Sequence, residues 1–135
     1  MSKFDLVYKN IMIRTSFMGT HNWPEASQFE GERINFLEYE HRHTFHIKAS
    51  LSVNHSDREV EFFIFKDMIN NIIEKLYPIA QHELVRRLGR KSCETIAEEI
   101  ITELRHDFEK NDITIEVWED NEVGALVVNK NSKEI

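Results

Sequence analysis

Three histidines stand at spacings that suit a shared metal ion. His41 and His43 are two residues apart at the start of an alternating segment, and residues i and i+2 of a strand point to the same side. Both imidazoles can therefore reach one ion, and His21 joins them if the first two predicted strands pair antiparallel. Three histidines around an open fourth position are typical of a catalytic zinc site. Taken alone, the H-x-H pair is equally compatible with two half-exposed polar side chains at a strand start that bind no metal.

The residues around these histidines predict the strands that position them. From His43 to Val53, apolar and polar residues alternate strictly, which predicts a strand with one buried face. The segment from Leu6 to Phe17 is rich in β-branched and apolar residues and predicts a first strand, with a bulge or bend because its alternation is broken. Residues 22–40 predict a long loop, and loops of this length are usually functional.

The rest of the chain predicts helices and short strands. A helical period from Met68 to Leu76 predicts one helix, and the N-cap residue Ser92 predicts the start of another. The remaining predicted elements are a strand over Glu59–Phe65, a helical turn over His82–Leu88 closed by Gly89, and strands over Ile113–Val117 and Leu126–Val128. This order predicts an α+β fold with an antiparallel sheet and helices on one face.

Composition and charge restrict the classes of partner. The chain has 135 residues and a formal net charge of −7, which fits one domain over residues 1–135 and argues against a non-specific nucleic-acid binder. No apolar stretch is long enough to span a bilayer, and the segment from Met1 to Asp5 lacks the apolar core of a signal peptide. We therefore expect a cytoplasmic protein without membrane contact. The single cysteine, Cys93, excludes a disulfide within the chain and four-thiolate metal sites.

Five short motifs occur in an order that points to one enzyme family. The first two are Phe17-Met18-Gly19-Thr20-His21 and His41-Arg42-His43-Thr44-Phe45. The later three are the segments Glu61–Met68, Ser92–Ala97, and Val117–Glu119 followed by Gly124-Ala125. Together they resemble the motifs F-x-A-x-H, H-G-H, V-x-D-F-x-x-L, P-T-x-E-x-x-A and V-x-E-T of the 6-pyruvoyltetrahydropterin synthase and 6-carboxytetrahydropterin synthase family. The resemblance runs from about Phe17 to Val128.

The resemblance implies a fold, an assembly and a cofactor. The implied fold is a T-fold, an antiparallel four-stranded sheet with two helices on one face, whose subunits form rings that stack into a barrel. The implied assembly is a homohexamer with active sites between subunits. The implied cofactor is Zn2+, held by His21, His41 and His43.

The resemblance also assigns residues to the substrate. Glu119 stands where the family's glutamate anchors the pterin, and a carboxylate can accept two hydrogen bonds from adjacent N–H groups. Glu94 resembles a family residue near the pterin, although the helix dipole also favours an acid in a first helical turn. Arg42 replaces the family's glycine, where it alters the pocket wall or supplies a cation for a phosphate or carboxylate.

The family's usual catalytic cysteine has no counterpart before the H-x-H pair, and Cys93 lies instead at a predicted helix start, a poor substitute by position. Glu38 fits the E-x-x-H-G-H spacing of a family branch in which glutamate is the base. A carboxylate serves as a base near neutral pH when desolvation raises its pKa. His82 resembles the family's catalytic histidine, but Gln81 replaces its aspartate partner. Both Glu38 and His82 are equally compatible with ordinary surface groups.

Two functions of different classes follow from these residues. The first is a zinc-dependent lyase, similar to 6-carboxytetrahydropterin synthase, that cleaves the side chain of a reduced pterin such as 7,8-dihydroneopterin triphosphate. Such a reaction would belong to the synthesis of 7-deazaguanines such as queuosine, or to that of folate. The second is a non-catalytic protein that binds a pterin or guanine-like ligand in the same fold. A structural T-fold protein without a metal is a third alternative.

Overall fold

A computed structural model describes residues 7–29 and 33–131. Its main helices and strands, in chain order, are β1 (Lys9–His21), β2 (His41–Val53), α1 (Phe62–Leu76), β3 (Arg86–Arg87), α2 (Cys93–Leu104), β4 (Ile113–Glu119) and β5 (Val123–Asn129). Two short 3-10 helices, Ala26–Gln28 and Asn35–Glu38, lie in the predicted loop between β1 and β2. The predicted strand start at Leu6, and the segment before it, lie outside the described residues.

The five strands form one mixed sheet in the order β3-β1-β2-β4-β5. The pairs β1–β2, β2–β4 and β4–β5 are antiparallel, and β3 runs parallel to β1. The α+β class is therefore confirmed, but the prediction of a purely antiparallel four-stranded sheet is wrong. The additional strand, Arg86–Arg87, has two residues, and two residues are too few to show an alternating pattern.

One hydrophobic core lies between the sheet and the two helices. The inward side chains of β2 are fully buried, among them Phe45, Ile47 and Leu51. They share this core with an apolar stripe from each helix, made of Phe65, Ile69, Ile73, Ile96, Ile100 and Leu104. In the described residues, neither α1 nor α2 has the length and apolar character to cross a membrane.

The predicted third strand over Glu59–Phe65 is wrong, because this segment leads into α1. The Glu61 carboxylate accepts a hydrogen bond from the Phe63 amide at 2.7 Å and caps the helix. Of the apolar run that follows, Phe65 is buried while Phe63 is 76% exposed. A short apolar run fits a strand and a helix equally well, and here the buried positions Phe65, Ile69 and Ile73 recur at helical spacing.

Two smaller predictions also differ from the structure. Of the bulge or bend predicted in the first strand, a bulge is absent from Lys9 onwards, because the register of β1 with β2 is unbroken from the pair Lys9–Val53 to the pair His21–His41. The segment predicted as a helical turn instead forms a turn followed by β3, and His82 adopts a positive φ of 67°. Helical φ is negative for L-residues, so the backbone at this position ends any helix.

The helix start at Ser92 is confirmed. The Ser92 side chain accepts a hydrogen bond from the Thr95 amide at 3.1 Å, which satisfies one of the free N–H groups at the start of α2. Glu94 lies in the first turn, as predicted. The alternating strand over β2 and the helical period over the second half of α1 are confirmed as well.

Replacing Gly124 with alanine should destabilise the fold. A Cβ atom at this position would lie 2.9 Å from the Trp118 Cα atom and would also meet the Val117 carbonyl oxygen, and backbone atoms cannot move aside cheaply. We expect Gly124→Ala to lower the free energy of unfolding by about 1–3 kcal/mol, measured by urea denaturation. Leu126→Ala, at an exposed position of the same strand, is the control and should change it by less than about 0.5 kcal/mol. An equal free energy of unfolding in Gly124→Ala and Leu126→Ala would contradict this steric explanation.

Candidate metal centre

The pairing of β1 with β2 brings the three predicted histidines together. His21, the last residue of β1, lies directly opposite His41, the first residue of β2, and His43 lies opposite Gly19. One ring nitrogen from each histidine lies within 4.8 Å of the others. His21 is buried and the other two are partly buried. The predicted histidine cluster is thus confirmed as a group able to hold a metal ion.

Backbone carbonyl groups orient two of the imidazoles. His21 Nδ1 lies 2.9 Å from the Lys91 carbonyl oxygen, and His41 Nδ1 lies 2.9 Å from the Tyr39 carbonyl oxygen. A carbonyl oxygen accepts and never donates, so each Nδ1 carries the proton and donates it. In a neutral imidazole the other nitrogen, Nε2, then presents a free lone pair. Metal-binding histidines are usually fixed in this tautomer by such a partner.

A carboxylate orients the third imidazole. His43 Nδ1 donates to Asp120 Oδ2 at 2.7 Å, and Asp120 Oδ1 accepts from the Thr44 amide at 2.9 Å. The hydrogen bond from His43, followed by that from Thr44, lowers the pKa of Asp120. His43 Nε2 is buried and has no hydrogen-bond partner among the described residues. A buried nitrogen lone pair of this kind is what a metal ion satisfies, and imidazole nitrogen suits zinc, copper, iron and nickel.

Glu119, the last residue of β4, lies beside the histidines. Its Oε2 atom is 3.4 Å from His21 Nε2 and 3.2 Å from His43 Nε2. The hydrogen bond with His21 is the largest effect on Glu119 and lowers the pKa of this carboxylate. Partial burial of Glu119 opposes this shift, and the charges of His43 and His41 add to it. Burial also opposes the charged form of His21, but Glu119 and the Lys91 carbonyl group outweigh it and raise the pKa of His21. The pocket therefore attracts positive charge.

A cavity of about 500 Å³ opens beside this cluster. Its wall contains His21 and His41 together with Glu94 and Glu119, the two carboxylates predicted to bind substrate. Small-molecule sites usually measure about 300–1,000 Å³. Trp23, from the loop after β1, also lines it and supplies an aromatic face.

Arg42 does not line this cavity. It is exposed and alternates with His41 and His43 along β2, so its side chain lies on the other face of the sheet. The cations in the cavity wall are Arg90 and Lys91, which sequence reasoning missed. Both come from the turn before α2, where no motif distinguishes them from other surface cations.

The two predicted catalytic groups also lie outside the cavity wall. Glu38 ends a 3-10 helix, where its backbone oxygen accepts a hydrogen bond from Asn22 Nδ2 at 3.0 Å. His82 is exposed in the turn before β3. The described part of one chain therefore brings together the histidines, Glu94 and Glu119, but not Glu38, His82 or Arg42.

Cys93, the first residue of α2, lines the cavity. Its side chain is almost fully buried. Burial, followed by the charges of Glu119 and Glu94, raises the pKa of the Cys93 thiol to about 12. At neutral pH the thiol is protonated, and a protonated thiol is a poor nucleophile. Its position does not make it a replacement for the family's catalytic cysteine.

Removing any one histidine of the cluster should remove the metal. We expect about one zinc ion per chain in the untagged protein, and loss of the ion in His21→Ala, His41→Ala and His43→Ala, measured by elemental analysis after gel filtration. His55→Ala, an exposed histidine in the turn after β2, is the matched control and should retain the ion. Metal retained by all three cluster variants would rule out this site.

Changing Asp120 should weaken the metal site without destroying it. In Asp120→Asn the amide oxygen can still accept the His43 Nδ1 proton, but the negative charge that strengthens that hydrogen bond is lost. We expect zinc affinity to fall by about 10–100-fold, measured by competition with a chromophoric chelator. Glu122→Gln changes an acid in the same turn and should leave the affinity unchanged. An unaltered affinity in Asp120→Asn would show that Asp120 does not support the metal.

The chain matches no protein-family model and no curated protein. The resemblance to the tetrahydropterin synthases therefore stays a prediction that depends on the five short motifs. The histidine cluster and the cavity beside it are the features that indicate a function.

Proposed function

We propose that this protein is a zinc-dependent lyase that acts on a reduced pterin such as 7,8-dihydroneopterin triphosphate and cleaves its side chain. One observation carries the proposal. Three imidazoles whose Nδ1 atoms contact fixed acceptors bring one ring nitrogen each to within 4.8 Å of the others, beside a cavity large enough for a bicyclic ring.

The cavity wall offers the groups that a pterin needs. The carboxylates of Glu94 and Glu119 are acceptors for the adjacent N–H groups of a pyrimidine edge. Trp23 supplies a flat apolar surface for the ring. Arg90 and Lys91 supply positive charge for a phosphate chain, although Arg90 contacts Glu25, and Lys91 Nζ lies 2.5 Å from Glu99 Oε2. A phosphate would compete with these two carboxylates for the cations.

The chemistry divides between the ion and the chain. A zinc ion bound at the three histidines would lower the pKa of a bound hydroxyl group and polarise a carbonyl group. The histidines would hold the ion, and they are themselves oriented by Lys91, Tyr39 and Asp120. Removal of a carbon- or oxygen-bound proton requires a base, for which Glu38 or His82 is proposed. Because neither lines the cavity of one chain, the proposal includes a T-fold homohexamer with active sites between subunits.

Incubating the zinc-loaded protein with 7,8-dihydroneopterin triphosphate tests this proposal. We expect a zinc-dependent change in the pterin side chain, which is measured by chromatography with fluorescence detection. Glu38→Gln should abolish turnover and leave pterin binding unchanged, whereas Glu40→Gln, two residues further on, should retain turnover. An untouched substrate, under conditions where a family member with the usual cysteine converts it, would rule out the lyase.

The placement of Glu38 and His82 outside the cavity favours a second candidate function. A chain that holds a metal and a pterin without a base in reach would bind the ligand and leave it unchanged. Binding of a pterin to the zinc-loaded protein, measured by calorimetry, together with no turnover in the assay above, would distinguish this non-catalytic pterin or guanine-like binding protein from the lyase.

A further inference from the structure

We infer that Glu119 is the fourth ligand of the metal ion held by His21, His41 and His43. The inference depends on the proposed metal centre, and it replaces the pterin-binding role that the sequence suggested and the proposed function gives to Glu119. Glu119 Oε2 lies 3.4 Å from His21 Nε2 and 3.2 Å from His43 Nε2, so one carboxylate oxygen faces two of the three converging nitrogens.

When the three rings are neutral, these atoms are all acceptors, and acceptors repel one another. Each Nδ1 donates its proton to a fixed partner, which leaves a lone pair on each Nε2 of a neutral ring. An ionised carboxylate oxygen is also an acceptor without a proton. A cation between them turns these repulsive contacts into attractive ones.

A divalent metal satisfies this arrangement better than protons do. A proton on one Nε2 atom can form only one hydrogen bond to Glu119. Because His21 and His43 both face the same Glu119 oxygen, two protons would be needed there. Protonating all three rings would place three positive charges side by side, since the ring centroids are 4.6, 4.9 and 5.3 Å apart. One ion could accept all three nitrogen lone pairs and the carboxylate oxygen, and four nitrogen and oxygen ligands form the tetrahedral set that zinc prefers. A substrate oxygen would then bind as a fifth ligand or displace Glu119.

The turn after β4 fixes the Glu119 carboxylate where it is needed. Asp120 and Asn121 both have positive φ, of 54° and 60°. The Asp120 amide donates to the Thr44 carbonyl oxygen at 2.8 Å, and the Glu122 amide donates to the Glu119 carbonyl oxygen at 3.0 Å. As a result, two consecutive acids approach the His43 ring from its two nitrogens, with Asp120 at Nδ1 and Glu119 at Nε2.

If Glu119 binds the ion, the pyrimidine edge of a pterin is left to Glu94. Glu94 lines the same cavity, whereas the carboxylates that contact His21 and His43 in the described residues are those of Glu119 and Asp120. The two carboxylates would therefore have different roles. Substituting Glu119 should change the affinity for the metal, and substituting Glu94 should not.

Zinc affinity of the full chain tests the fourth ligand. The metal-free wild type, Glu119→Gln and Glu116→Gln would be titrated with zinc in competition with a chromophoric chelator. Glutamine keeps the size of the side chain and removes the charge, so we expect at least about a 100-fold loss of affinity for Glu119→Gln. Glu116 is on the same strand and the opposite face, and its variant should bind zinc within about twofold of the wild type. Circular dichroism confirms that the metal-free variants are folded.

The outcomes separate this inference from the proposed function. Equal zinc affinity in the wild type and Glu119→Gln would overturn the fourth ligand and leave the three-histidine site standing. A wild type that binds no zinc would overturn the metal centre and the inference with it. A crystal structure of the zinc-loaded protein gives an independent readout, because a Glu119 oxygen should lie about 2.0–2.2 Å from the ion.

Discussion

The antiparallel pairing of β1 with β2 sets the position of all three histidines. The register is continuous over both strands and ends at the pair His21–His41. A slip of one residue would turn every side chain of β2 to the other face. It would expose Phe45 and Ile47, which are fully buried, and turn His41 and His43 away from His21. The burial of apolar side chains thus enforces the geometry of a polar site at the end of the same strands.

The histidine cluster also requires hydrogen-bond acceptors for its three Nδ1 atoms, and these acceptors come from other parts of the chain. Tyr39 lies just before β2, Lys91 just before α2, and Asp120 in the turn after β4. Each binds one Nδ1 atom and so fixes both the tautomer and the tilt of its imidazole. The cluster therefore depends on the tertiary fold, because two strands alone would leave the rings free to rotate.

The sequence was most informative where a pattern repeats. Alternation over β2 identified a strand, the H-x-H spacing placed two imidazoles on one side of it, and antiparallel pairing added His21. Sequence reasoning failed where a single residue decides the structure. Asp120 orients His43 through a turn with positive φ, and this conformation leaves no periodic signal. The run after Glu61 contains too few polar residues to distinguish a strand from a helix, and only packing against the core decides between them.

The ligand set also has a consequence for the unfolded chain. His21 is the last residue of β1 and Glu119 is the last residue of β4, so the two lie far apart in the sequence. The chain has one cysteine and cannot form a disulfide within itself. An ion shared by these residues would act as its cross-link, closing a loop that includes most of the chain. Because cross-links that close long loops restrict the unfolded state most, the ion would contribute its binding free energy to folding, and a chelator would act as a denaturant.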